Sequence, residues 1–226
     1  MGYEYNEYNS GRGGFLSSIP PVTKNIVAIN ILVFIATLIN ENFMVVNFAM
    51  FYPASPFFKP WQILTHMFMH GGFWHIFFNM YTLLMFGCVL ERALGSKKFL
   101  IFYFVTGLGA AALHTGVEWI QAQYFLSAGA AVNYHNLLMT PTLGASGAIY
   151  GVLIGYAICY PDSRLTLLFP PVTLTAKWFV IIFAGIELFT GISGFQDGVA
   201  HFAHLGGMLF GWLLIRWWRK KGEFYY

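Results

Sequence analysis

The 226 residues are 58% hydrophobic and 19% aromatic, yet only 9% are charged and the net charge is +3. A soluble domain carries about 25% charged residues, so the composition excludes a water-facing globule, and so small a positive balance implies no nucleic-acid partner. Cys88 and Cys159 both sit in apolar runs on different predicted helices, which leaves no disulfide framework and makes them small buried hydrophobes.

In chain order, residues 1–21 read as a flexible cytoplasmic lead, polar and ending at Pro20-Pro21. No short apolar core with a small-residue cleavage site precedes the first long apolar run, so that run reads as a retained anchor. Met1-Gly2 would suit myristoylation, but Asn6 stands where the motif wants Ser or Thr. About six apolar runs follow, at roughly 24–40, 72–91, 98–119, 144–160, 176–193 and 199–218. At 1.5 Å per residue, runs of roughly 18 to 25 residues cross about 30 Å of hydrocarbon. The expected fold is all-α, a polytopic membrane bundle of six transmembrane helices over 22–219, with a short cytoplasmic tail at 220–226. The aromatic stretch 41–71 is too apolar for a free linker and is expected to lie in the membrane interface. Residues 120–143 form a second long connection, and 161–175, with Pro161, Pro170 and Pro171, a short loop.

With the N-terminus in the cytoplasm, Arg12, Lys24, Arg92, Lys97, Lys98, Arg164, Lys177, Arg216, Arg219, Lys220 and Lys221 all fall on the cytoplasmic side, and only Lys59 lies outside. The opposite topology would place nearly every cation on the wrong side. Both termini are therefore expected in the cytoplasm, with a cell (inner) membrane as the compartment.

In this topology the second, fourth and sixth runs all descend from the outer face. Counting along them brings His75 and Asn79, Ser146, and His204 to a similar depth, about one to two turns down. Intramembrane polar groups are costly and usually line a cavity or site. Gly144-Ala145-Ser146-Gly147 places a hydroxyl in a small-residue turn at a helix start, where free N–H donors can hold an oxyanion. Read alone, Gly-x-Ser-Gly can equally be a close-packing motif. Gly207 and Gly211 after His204 form a small-xxx-small face. Gly147, Gly151 and Gly155 repeat that spacing, so close approach of the fourth and sixth runs can bring the imidazole to Ser146. A serine hydroxyl needs such a base to be nucleophilic near neutral pH. His70-x4-His75-x3-Asn79 sets His75 and Asn79 on one helix face as donors for an oxyanion, or as a structural polar network.

These motifs, in this order, resemble the rhomboid family of intramembrane serine proteases over about residues 24–218. The resemblance implies Ser146 as nucleophile and His204 as general base in a dyad, with His75, Asn79 and the Ser146 backbone N–H as oxyanion hole. Tyr150 is expected to pack on His204, and Gly144, Gly147, His70, Gly207 and Gly211 to support the site. It also implies hydrolysis of peptide bonds in or near transmembrane segments of single-span or polytopic membrane-protein substrates within a lipid bilayer, without metal or organic cofactor. Access is expected through the fifth span and a cap loop at about 194–198. Substrate and oligomeric state are left open. Two departures stand out. Many members carry Trp-Arg where this chain has Trp61-Gln62, so the loop anchor is expected to differ; and Glu91-Arg92 replaces a Glu-x-Arg pattern at a cytoplasmic helix end.

Two other readings compete. His66, His70, His75, His201 and His204 have spacings that suit imidazole ligation of a metal, although only Asp197 offers a carboxylate near the outer cluster and Gly144–Gly147 is left without a role. An inactive relative that binds helices without cutting them is the other. Individually, His66 and His201 read as interface or packing histidines, Asp197 as a loop residue, and Glu187 as a packing group in preference to a gating residue.

Overall fold

The computed structural model describes residues 15–167, 171–193 and 200–223. Its frame, among the described residues, is a bundle of six helical spans, the fourth of them short. The first span, Pro21–Ile39, opens with Pro21 at a first-turn position, where the missing N–H has no helical acceptor in any case. The second, Phe73–Leu94, passes through a π-helical turn at Leu83–Gly87. The third is Ser96–Ser127, the fourth Ser146–Cys159, the fifth Ala176–Ser193 and the sixth His201–Lys220. The first, second, third and fifth are long and apolar enough to cross a membrane by length and composition alone. The sixth carries Arg219 and Lys220 in its last turn.

The fourth span has only 14 residues, two fewer at its start than the sequence suggests. At 1.5 Å per residue it is about 21 Å long, shorter than a hydrocarbon core of about 30 Å. A helix of that length that reaches one membrane face stops short of the other, and Ser146 is its first residue. The third span is longer than expected: helix continues to Ser127, and a further helix, Ala131–Met139, occupies most of what reads as a connection. The loop at 161–175 holds a small hairpin, β1 (Arg164–Thr166) antiparallel to β2 (Thr173–Thr175). Pro170, one of the three prolines expected in this loop, lies outside the described residues.

Glycine sets the closest packing. A methyl group on Gly207 would stand 1.8 Å from the Gly147 carbonyl oxygen, so the sixth span rests directly on the backbone of the fourth. Gly211 continues that contact one turn on, against Ile154, Phe102 and the Gly151 carbonyl. The paired-stripe expectation is only half the arrangement, because Gly147 and Gly151 meet the third span at Ala110 and Thr106, and Gly155 meets Phe102 of the third span and Leu90 of the second.

The ends are tied by buried polar anchors. Glu91 is 2% exposed and accepts hydrogen bonds from the backbone N–H groups of Val22 and Thr23, the Thr23 hydroxyl and the Ser96 hydroxyl. It thus caps the start of the first span from the end of the second. Arg92, displaced from the family spacing, donates to the Ser18 carbonyl beside it. In the loop between the first two spans Gln62 is fully buried. Its amide donates to Val46 and Phe57, and its carbonyl accepts from Phe51 and Lys59. Gln62 of the Trp61-Gln62 pair is therefore a neutral anchor for this loop.

Candidate active site

Gly144 has a φ of +136°, a conformation that an L side chain rarely adopts. A Cβ there would meet His75 Nε2 at 3.0 Å and Ser146 Oγ at 3.5 Å, so the missing side chain is what lets ring and hydroxyl converge. The turn is held from outside: the Gly144 N–H donates to the His66 carbonyl at 3.0 Å, and Met50 and Thr142 exchange backbone hydrogen bonds of 2.9 and 2.7 Å. Ser146 then begins the fourth span, and a first-turn N–H has no acceptor within its helix.

His204, one turn into the sixth span, brings Nε2 to 2.9 Å from Ser146 Oγ. The serine O–H donates and the imidazole accepts when the ring proton is on Nδ1. Tyr150 stacks on this imidazole with ring centroids 4.1 Å apart and planes 8° apart. His75 Nδ1 accepts the Gly71 N–H at 3.4 Å, which places its proton on Nε2, the nitrogen that faces Gly144. Asn79 donates through Nδ2 to the His75 carbonyl at 2.9 Å, leaving one N–H of the amide. His70 is buried and edge-on to His75, centroids 4.9 Å apart, and no hydrogen-bond partner reaches either of its nitrogens among the described residues. Burial, reinforced by His75, depresses its pKa to about 3; burial likewise holds His66 at about 4.

The structure brings together His75, Asn79, Gly144, Ser146, Gly147, Tyr150, His204 and Gly207, with His70 behind His75. Gly211 lies a turn further along the helix contact. Sequence reasoning placed two neighbours outside the site. Glu187, on the fifth span, is buried. Its Oε1 accepts the Tyr150 hydroxyl at 2.5 Å and lies 3.0 Å from His204 Nδ1, while Oε2 lies 2.7 Å from His201 Nδ1. The His204–Glu187 approach has ion-pair distance, with the N–H turned off the straight hydrogen-bond line. His201 Nδ1 is also 3.1 Å from the Thr190 hydroxyl. Asp197 and the cap-loop segment lie outside the described residues.

Beside the polar cluster opens an apolar cavity of about 440 Å³. It lies between the second, fourth and fifth spans, lined among others by Trp74, His75, Asn79, Tyr150 and Phe183.

Residues 57–221, more than half of the chain, match the rhomboid domain. The chain belongs to the rhomboid family. Among its rhomboid relatives, "Rhomboid protease AarA" of Providencia stuartii is 29% identical over 161 residues, covering 68% of this chain and 54% of that protein. "RHOMBOID-like protein 4" of Arabidopsis thaliana is 30% identical, covering 68% and 33%. "Rhomboid-like protease 3" of Toxoplasma gondii is 26% identical over 193 residues, covering 81% and 61%. The chain thus spans a third to about three fifths of the length of these relatives. It is an integral multi-pass membrane protein, and the rhomboid match begins inside the loop before the second span.

Proposed function

We propose that this chain is an intramembrane serine endopeptidase that hydrolyses peptide bonds in or near transmembrane segments of membrane proteins. The observation that carries it is the 2.9 Å contact between Ser146 Oγ, at a helix start, and His204 Nε2. His204 takes the hydroxyl proton as Oγ bonds to the scissile carbonyl carbon. The resulting oxyanion is met by the Ser146 N–H, the His75 Nε2–H and the free Asn79 N–H, donors fixed before the charge develops. The imidazolium returns its proton to the leaving amine as the C–N bond breaks. Water, deprotonated by the same imidazole, then hydrolyses the acyl ester and restores Ser146. Names of similar proteins, such as "Rhomboid protease AarA" and "Rhomboid-like protease 3", support the reaction class. The apolar cavity between the second and fifth spans suits an unwinding apolar segment. Residues 22–219 form the protease unit in this reading, with both termini cytoplasmic in a cell membrane.

Purified wild type, Ser146→Ala and His204→Ala, each incubated with a single-span substrate and separately with a fluorophosphonate probe, test this. Cleavage and labelling are expected from wild type alone. Cleavage that persists in Ser146→Ala overturns the nucleophile, and an inert wild type favours the non-cleaving relative. One observation favours a metal instead: Glu187, His201 and His204 offer ligand atoms within 4.8 Å of one another. Against it, the Tyr150 hydroxyl already donates to Glu187 Oε1, and His201 Nδ1 also lies 3.1 Å from the Thr190 hydroxyl. Activity lost to a chelator and restored by zinc would establish that second reading.

A further inference from the structure

We propose that Glu187 is a positioning residue that makes the Ser146–His204 pair the working end of a three-membered relay from three different spans. This rests on the serine-protease reading above and deepens it.

The imidazole can accept the serine proton only if Nε2 is bare, which requires its proton on Nδ1. Nδ1 faces Glu187 Oε1 at 3.0 Å, an ion-pair distance off the straight hydrogen-bond line, and no hydrogen-bond acceptor reaches it among the described residues. A carboxylate there favours the required tautomer and lies beside the positive charge that appears when His204 takes the proton. The carboxylate is itself held by two further groups. Tyr150 donates to Oε1 while stacking on the His204 ring, and His201 bonds Oε2, so acid and imidazole share one rigid frame. An acid fixed by donors from two other helices is more than a packing group on an apolar one. Glutamine would pack in the same volume and still accept the Tyr150 hydroxyl. Packing alone therefore predicts that Glu187→Gln is close to silent, whereas the relay requires the charge.

The test uses the full chain in detergent micelles. For Glu187→Gln the second-order rate of fluorophosphonate labelling at Ser146 is expected to fall by about 10²-fold or more, with kcat for cleavage falling in parallel and KM little changed. Labelling within about threefold of wild type, in a protein of unchanged melting temperature, overturns the relay while leaving the protease reading intact. A wild type that neither labels nor cleaves overturns the protease reading itself and the relay with it. A second measurement needs no variant at position 187: nitrogen NMR of 15N-histidine-labelled wild type, with the His204 signals assigned by their loss in His204→Ala. A protonated Nδ1 and bare Nε2 at neutral pH are expected, and the opposite tautomer overturns the proposal even if Glu187→Gln fails to fold.

Discussion

At the residue scale, two buried histidines ahead of the second span, His66 and His70, are held below the ordinary imidazole pKa. His70 shows the consequence most cleanly, because it lies ahead of the second span and touches His75 without a hydrogen bond of its own. Its folded pKa of about 3 lies below the ordinary value of 6.5. The unfolded chain therefore takes up a proton as the pH drops through about 6.5, whereas the fold refuses it until near 3. The contribution to stability is complete above that window and is lost progressively on acidification. His66, at about 4, acts in the same direction. The melting temperature of wild type in detergent is expected to fall steadily from pH 7 to pH 4.5, and His70→Gln, neutral throughout, to flatten that slope. An unchanged slope would assign the acid sensitivity elsewhere.

Helix against helix, the decisive contact is Gly207 on Gly147, and here a methyl group is a sharp probe. In Gly207→Ala the new carbon cannot stand 1.8 Å from a backbone oxygen, so the sixth span must move away from the fourth. Gly147 adjoins Ser146 and Gly207 lies three residues from His204, so the 2.9 Å contact lengthens with that shift. Gly207→Ala is expected to cost about 2 kcal/mol or more of stability and to abolish fluorophosphonate labelling. Gly116→Ala in the third span is the control, since a methyl group there meets nothing within 4 Å. It is expected to be neutral or slightly stabilising through reduced freedom of the unfolded chain. Equal behaviour of the two variants would remove the helix contact from the account of the site.

The same contact shows what was legible in the sequence. Spaced glycines next to Ser146 and His204 mark where two helices must touch, and polar residues in apolar runs mark depth, so the convergence of His75, Asn79, Ser146 and His204 follows from counting. Glu187 did not follow. The fifth span is apolar around its whole circumference, and its buried positions, Ala176, Val180 and Glu187, become one face only when neighbours are present. Periodicity cannot show rotation where lipid and protein are equally apolar. The helix at Ala131–Met139 was hidden for another reason: it has only 9 residues, its apolar and polar residues are too mixed to read as a span, and none of them is buried. Gln62 was visible as a departure, but its four partners are backbone groups, which carry no side-chain signal.

For the whole molecule, the short fourth span and the charge pattern bear on one question, the side of the membrane to which the polar site opens. Ser146 and His201 begin their helices at the same end of the bundle, and the sixth span then carries Arg216, Arg219, Lys220 and Lys221 to the opposite end. Those cations sit among aromatic rings that suit a headgroup boundary: Arg216 is 4.7 Å from the Trp212 ring and Lys221 4.1 Å from Trp217. Lys59, 5.8 Å from the Trp61 ring, belongs to the loop that braces the Ser146 end. The cation-rich end is expected in the cytoplasm, which opens the site outward. With Cys88 and Cys159 first replaced by Ala, single cysteines at positions 59 and 221 test this in intact cells with a membrane-impermeant maleimide. Lys59→Cys is expected to label before permeabilisation and Lys221→Cys only after it. The reverse pattern would turn the site toward the cytoplasm, and any membrane-protein segment it cuts would then have to be reached from that side.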